Sequence, residues 1–315
     1  MKSYQVIRTH TSPYQGTDFA LNEQKSLESL PGIFYRTLEN YDPMMESILI
    51  TNTHTQLALL PTNLLKKTKL IIHPNSGYDH FADDKNIWKD IPLVIGHQIR
   101  AQGVAEYILA CLFEGLPRHL SWDKNRIWNR KLLTEKKIWL FGHGHIGQKV
   151  SRTLQSLGCQ LTIVDPFMPD CLKDWKHGNV SEAEVILVCM SLNEFSHGMF
   201  NEEFFSNAHS ELLFINSARG KLVQEKALRE FLLGHPEAFA YLDVFEKEPF
   251  GDDWHSFPQT WKTSHIAGVS KNLDDHIIHF GENVLRDFLA LTIEQFSLKY
   301  KYELIQNKIR HGVLI

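Results

Sequence analysis

Ile138-Trp139-Leu140-Phe141-Gly142-His143-Gly144-His145-Ile146-Gly147 decides the fold of this chain. Its four leading apolar residues are continuous, and a continuous run indicates a strand covered on both faces, since a half-exposed strand alternates. The six that follow fit G-x-G-x-x-G. Beyond them Val150, Leu154 and Leu157 recur at i, i+4 and i+7, and Gly158 stands where a helix end needs a residue tolerant of positive φ. A second apolar run, Gln160 to Val164, ends at Asp165, 18 residues after Gly147. Strand, glycine turn, helix, strand and acid in this order suit a dinucleotide. Gly142, Gly144 and Gly147 let the backbone approach a pyrophosphate, and the helix N-terminus opening at His145 and Ile146 stabilises its charge. Asp165 would accept hydrogen bonds from both ribose hydroxyls and repel a 2′-phosphate, which predicts NAD over NADP. His143 and His145 also make H-x-H, but a phosphate loop explains the segment and no third ligand stands nearby, so no metal is expected.

Working outward, apolar runs recur at Val185 to Met190, Leu212 to Ile215 and Phe239 to Leu242. Ala227, Leu228, Phe231 and Leu232 form another helical face that ends at Gly234, so a βαβαβ pattern continues to about Asp243. The expected architecture is α/β, a Rossmann-type doubly wound parallel sheet. The first hundred residues show a weaker alternation, with runs near Gln5 to Ile7, Ile33 to Tyr35, Ile48 to Ile50, Leu70 to Ile72 and Pro92 to Ile95, which predicts a second, smaller α/β unit. Val104 to Phe113 is apolar on nearly every side and suits a helix buried between domains or subunits. A 3.6-residue stripe over 271 to 292 predicts a helix returning to the first domain. The expected domains are 1–98 with 269–315, and 99–268.

Composition removes other classes. At 315 residues and 43% hydrophobic, the chain holds about two globular domains and is not disordered. Thirty-three basic against 37 acidic residues give −4, so no positive field exists to hold nucleic acid or an anionic membrane. Cys111, Cys159, Cys171 and Cys189 lie 48, 12 and 18 residues apart, neither a metal-ligand nor a disulfide pattern, and reduced thiols are expected. The N-terminal residues lack the apolar core of a signal peptide, and no run reaches membrane-spanning length; a soluble, cytoplasmic protein is expected.

Three further segments fall where a doubly wound sheet has its crevice, beyond strand C-termini. These are Asn216-Ser217-Ala218-Arg219-Gly220, Asp243-Val244-Phe245-Glu246-Lys247-Glu248-Pro249 and Thr263-Ser264-His265-Ile266-Ala267-Gly268. Singly, an arginine after a strand or an isolated histidine is usually structural. Together they place a guanidinium, a carboxylate and an imidazole around one point. Arg219 can hold a carboxylate or carbonyl oxygen through its planar fork, and Glu248 can orient His265 and favour its protonated form. That set makes a proton donor for a carbonyl that receives hydride.

These residues resemble the NAD-dependent D-2-hydroxyacid dehydrogenases, which include glycerate, lactate and phosphoglycerate dehydrogenases, over about Ile48 to Leu289. GHGHIG with Asp165 is similar to the family's cofactor fingerprint, NSARG to its arginine motif, DVFEKEP to its glutamate motif and SHIAG to its histidine motif. The resemblance implies that Arg219 binds and polarises a small 2-oxo acid, His265 is the acid/base and Glu248 its partner. It implies cofactor contacts from the glycine loop, Asp165, Ser217, Ala218, Arg219, Asp243, His265 and Gly268, with Asp243 on the nicotinamide carboxamide. Asn75-Ser76-Gly77 is similar to the loop whose amides hold the substrate carboxylate. A flavodoxin-like substrate domain, a homodimer and a cleft closed by hinge motion are also implied. The chain departs from the family at Ser191-Leu192-Asn193, where Pro-Leu-Thr is common, at Ser264, where Pro would stiffen the approach to His265, and after about Thr292. Two alternatives stay open: a phosphite or formate dehydrogenase, the latter disfavoured because Gln replaces Glu248 there, and an NAD(H)-binding redox regulator.

Overall fold

The computed structural model describes residues 2–12, 14–116, 131–255, 257–310 and 312–315. Two compact units are present, Met1–Arg100 with Ser270–Ile315, and Ala101–Val269.

The first unit opens with β1 (Tyr4–Arg8), α1 (Phe19–Glu28), β2 (Ile33–Arg36), β3 (Ser47–Ile50), α2 (Thr62–Lys67), β4 (Thr68–His73), α3 (Lys85–Trp88) and β5 (Leu93–Ile95). Its sheet is wholly parallel in the order β2-β1-β3-β4-β5, which is the flavodoxin order 2-1-3-4-5. Apolar residues alternate between two cores: Val6, Ile48, Leu70 and Val94 face one, and Ile7, Leu49, Ile71 and Leu93 the other. Burial on both faces is why these strands read as continuous apolar runs.

Helix α4 (His97–Gly115) runs through the division at Arg100. It buries Val104, Ala105, Ile108, Cys111 and Leu112, while Phe113 is 46% exposed, so the all-round apolar reading gives way to a one-sided helix. The second unit then runs β6 (Ile138–Phe141), α5 (His145–Ser156), β7 (Leu161–Val164), β8 (Val185–Val188), α6 (Glu202–Ser206), β9 (Leu213–Asn216), α7 (Glu225–Gly234), β10 (Phe239–Leu242), α8 (Asp252–His255) and β11 (Thr260–Lys262). Its sheet, β11-β10-β9-β8-β6-β7, is again all parallel. Trp139, Phe141, Ile186, Val188, Phe214 and Leu242 pack on one face, and Ile138, Leu140, Val185, Leu187, Ile215 and Tyr241 on the other.

One sequence expectation changes here, and one connection is shorter than a helix. Leu157 does not join the buried face of α5: the helix ends at Ser156, the chain turns through Gly158 at φ +87°, and Leu157 is 48% exposed. The connection from β7 to β8 also contains no α-helix, only 3₁₀ turns at Trp175–His177 and Val180–Glu182, which place Trp175 and Val180 in the core. A shorter element suffices because β7 is an edge strand and only half-buried.

The chain returns to the first unit with α9 (Leu273–Ala290), α10 (Ile293–Lys299) and the antiparallel pair β12 (Ile309–Arg310) and β13 (Val313–Leu314). Val284 and Leu285 of α9 complete the core that holds Tyr4 and Val6. The segment after Thr292 is built into this unit: Ile305 and Leu314 are buried, and Gln306 Nε2 donates to the carbonyls of Trp88 and Ile91 at 3.0 and 2.6 Å. His311 lies outside the described residues.

The glycine loop sets how closely α5 approaches β6. Gly142 has φ +89°, and a Cβ there would lie 2.5 Å from Met190 Cα; a Cβ on Gly147 would lie 2.1 Å from the Gly142 carbonyl oxygen. Gly147→Ala is therefore expected to lower unfolding stability by about 1–3 kcal/mol, the usual cost of overpacking. Urea denaturation measures it, and an unchanged midpoint would contradict the close approach.

Candidate active site

Registers across the second sheet align Val164, Phe141, Val188, Asn216, Leu242 and Lys262 in one row. The residues immediately following are Asp165, Gly142, Cys189, Ser217, Asp243 and Thr263. The motifs singled out in the second unit thus start on this line, as Asn216 does, or one residue past it.

At the glycine loop, the Asp165 carboxylate accepts from His143 N at 2.8 Å and Phe167 N at 2.9 Å. Each oxygen keeps a lone pair for a further donor. A Cβ on Gly144 would meet nothing within 4 Å, so open space faces the start of α5, where the first helical amides have no intrahelical acceptor. His143 Nε2 is 3.0 Å from Ser151 Oγ. Among the described residues no group of three His, Cys, Asp or Glu side chains could hold a metal. The Ser191–Asn193 departure forms a self-contained turn, in which Asn193 Oδ1 accepts from Phe195 N at 3.0 Å and Ser196 N at 3.1 Å.

After β9, Asn216 folds the arginine turn: its Oδ1 accepts from Ala218 N and its Nδ2 donates to the Arg219 carbonyl, both at 3.0 Å. Arg219 is half-buried and donates from Nη1 to the Ala218 carbonyl at 2.7 Å. Gly220 admits no side chain, since a Cβ would lie 1.9 Å from the Phe245 carbonyl. The Ser217 hydroxyl is buried without a hydrogen-bond partner among the described residues. This orphaned hydroxyl and the open space at Gly144 fit a dinucleotide laid along the strand ends.

Glu248 and His265 meet as the sequence predicts, with Nδ1 to Oε2 at 2.8 Å. A carboxylate only accepts, so Nδ1 carries the hydrogen and Nε2 is the ring nitrogen left to exchange a proton. Burial alone would raise Glu248, but the hydrogen bond and charge of His265, the Phe245 amide and the Arg219 charge outweigh it and hold the carboxyl below its ordinary 4.5. A cavity of about 180 Å³ lined by Phe245, Glu248, Pro249, Phe250, Ser264 and His265 lies against the pair.

Asp243 is fully buried, and its carboxylate serves the histidine loop. Oδ1 accepts from Thr263 Oγ1 at 2.6 Å and Ile266 N at 2.8 Å, and Oδ2 from Ala267 N at 2.8 Å. Its carbonyl accepts from His265 N at 2.7 Å. These bonds hold His265 at φ +56°, left-handed backbone that a non-glycine residue adopts only under constraint. Ser264, which stands where Pro would stiffen the approach, is flanked by Thr263 and His265, both bonded to Asp243. Tyr107 of α4 lies 2.6 Å from Thr263 Oγ1, whose one hydrogen goes to Asp243, so Tyr107 is the donor. Sequence reasoning missed Tyr107 and Thr263, since 156 residues separate them. Gly268 follows half-buried, with its Cα 3.7 Å from where a Cβ on Gly103 would stand. Asn75, Ser76 and Gly77 belong to the first unit and follow β4.

Residues 113–267 match the family described as D-isomer specific 2-hydroxyacid dehydrogenase, NAD binding domain. The Bacillus subtilis protein YoaD is 25% identical over 60% of this chain, and the match spans 61% of YoaD, about three fifths of that relative's length. A hydroxypyruvate reductase of Thermotoga maritima is 25% identical over 65% of this chain and 71% of its own. In fold, the D-lactate dehydrogenase of Aquifex aeolicus, solved with NAD and lactic acid, superposes with a TM-score of 0.73 at 19% identity, covering 96% of this chain and 99% of that one.

Because Glu248 is held below 4.5, its contribution to stability is fully present above that value and disappears as pH falls through the lower folded-state value. The stability gap between the wild type and Glu248→Gln should therefore be open at neutral pH and close on acidification. Urea unfolding across that range tests it; a gap that widens in acid would contradict the pairing.

Proposed function

We propose, from the match of residues 113–267 to the NAD-binding domain of the D-isomer specific 2-hydroxyacid dehydrogenases, that the chain interconverts a small 2-oxo acid and the corresponding D-2-hydroxy acid with NAD(H). The observation that supports this reading best is the 2.8 Å bond between His265 Nδ1 and Glu248 within reach of the Arg219 charge. Bound NAD(H) supplies or accepts the hydride. Arg219 binds and polarises the 2-oxo group, and its positive charge stabilises the oxygen as negative charge develops there. His265 gives its Nε2 proton to that oxygen in reduction and removes it in oxidation. Glu248 holds the ring in the required tautomer and favours the imidazolium.

Asn75, Ser76 and Gly77 would hold the substrate carboxylate. The glycine loop, Asp165, Ser217, Ala218, Asp243 and Gly268 would bind the cofactor, with Asp165 selecting NAD. We further propose a cytoplasmic homodimer acting on a small molecule, with neither nucleic acid nor membrane as a partner.

NADH oxidation by the purified protein against glyoxylate, hydroxypyruvate, pyruvate, 2-oxobutyrate and phosphohydroxypyruvate tests the reading. Turnover of at least one acid is expected, with a loss of about 10²–10⁴-fold in kcat for His265→Ala, the usual contribution of a general acid. Arg219→Ala should raise KM for the oxo acid as well as lower kcat. In Glu248→Gln, the alkaline limb of the reduction profile should move to lower pH, since the carboxylate that favours the imidazolium is gone. NADH binding with no turnover across the panel would instead favour a regulator.

A further inference from the structure

Arg100, the fourth residue of α4 and the last of the first unit, is half-buried and held by neutral partners. Its Nη2 donates to the Tyr14 hydroxyl at 2.8 Å and to Asn75 Oδ1 at 3.0 Å, and its guanidinium lies 5.3 Å from the Tyr14 ring centroid. Among the described residues no carboxylate lies within ion-pair distance of it. The charge of Asp274 acts on it from farther away, and Asp274 itself accepts from Gly16 N at 2.9 Å. A guanidinium withdrawn from water and left with uncharged acceptors is stabilised when an anion joins it. Its planar fork still has Nη1 and Nε to offer, since neither donates to a described residue.

Asn75 adds a second donor. The side chain is only 4% exposed, and because Oδ1 faces Arg100, the amide orientation is fixed and Nδ2 is left as a donor with no partner among the described residues. The loop that carries it is set from beneath by His73. Nε2 of His73 is 2.8 Å from the Gly77 carbonyl, which can only accept, so Nδ1 accepts from Thr51 Oγ1 at 2.9 Å. Burial, with the charge of His80, pushes the His73 imidazole down to about 3, so it remains neutral and braces the loop without adding charge.

We infer that Arg100 and Asn75 form an anion-binding point in the first unit that takes a carboxylate, phosphate or sulfonate group of the ligand. Read with the proposed function, on which this step rests, the anion is a second anionic group on the substrate's R group, beside the carboxylate assigned to the amides of the 75–77 loop. Arg100 takes no part in the arginine, glutamate and histidine set, so its role is separable from theirs.

Isothermal titration of the full chain with malonate and with inorganic phosphate tests the site without turnover. Binding is expected to weaken at least tenfold in Arg100→Gln and by less in Arg100→Lys, and the dependence on Arg100 should persist in an Arg219→Ala background. No binding by the wild type, or equal binding by wild type and Arg100→Gln, would reduce Arg100 to a strut between Tyr14 and Asn75 and overturn the inference. Kinetics then identify the source of the anion through the pairs pyruvate and oxaloacetate, 2-oxobutyrate and 2-oxoglutarate, and hydroxypyruvate and phosphohydroxypyruvate. A tenfold or greater selective loss of kcat/KM for the second member of each pair is expected in Arg100→Gln; an equal loss within each pair would place Arg100 on the common carboxylate and overturn the inference. Failure of every oxo acid with the wild type would remove the proposed function, while the titration would still decide the anion site.

Discussion

Parallel strand pairing is the constraint on which the candidate site depends. With every strand of the second sheet running the same way, all six C-termini emerge along one edge. Neighbouring strands lie about 4.8 Å apart, so Gly142 and Cys189, 47 residues apart along the chain, are brought side by side. Asp165, Gly142, Cys189, Ser217, Asp243 and Thr263 each stand one residue beyond the shared row. Apolar burial on both faces fixes that register, because a one-residue slip would exchange the two cores.

Within this edge, Asp243 converts strand position into side-chain aim. Four hydrogen bonds run from residues 263 to 267 to this one residue, and they hold His265 in a conformation its own backbone disfavours. Glu248 then determines which ring nitrogen faces outward. The positioning is layered: sheet, buried carboxylate, loop, imidazole. The Tyr107–Thr263 hydrogen bond extends the same support to α4, so a helix remote in sequence is tied to the histidine loop.

Much of this could be read in the sequence where one side chain or one period decides the outcome. Ile138–Phe141 and Phe239–Leu242 are strands as the apolar runs predict, and Gly158 adopts the positive φ expected after a helix. The meeting of Glu248 with His265 followed from motif order on a parallel sheet. The 3₁₀ turns that join β7 to β8 were not read from the sequence, because an edge strand needs less cover and no local pattern announces an edge. Leu157 fits the helical period but sits just past the helix end, where periodicity no longer determines exposure.

By itself the sequence determined the parallel α/β architecture, the glycine turn between β6 and α5 and the meeting of Glu248 with His265, because hydrophobic period, glycine spacing and motif order are local properties. Only the tertiary structure decided that Asp243 is buried and engaged by the histidine loop, that Tyr107 donates to Thr263, and that Arg100 rests on Tyr14 and Asn75. Those pairings join residues far apart along the chain. Their hydrogen bonds depend on distances of a few tenths of an ångström, which are set by packing and not by composition or period.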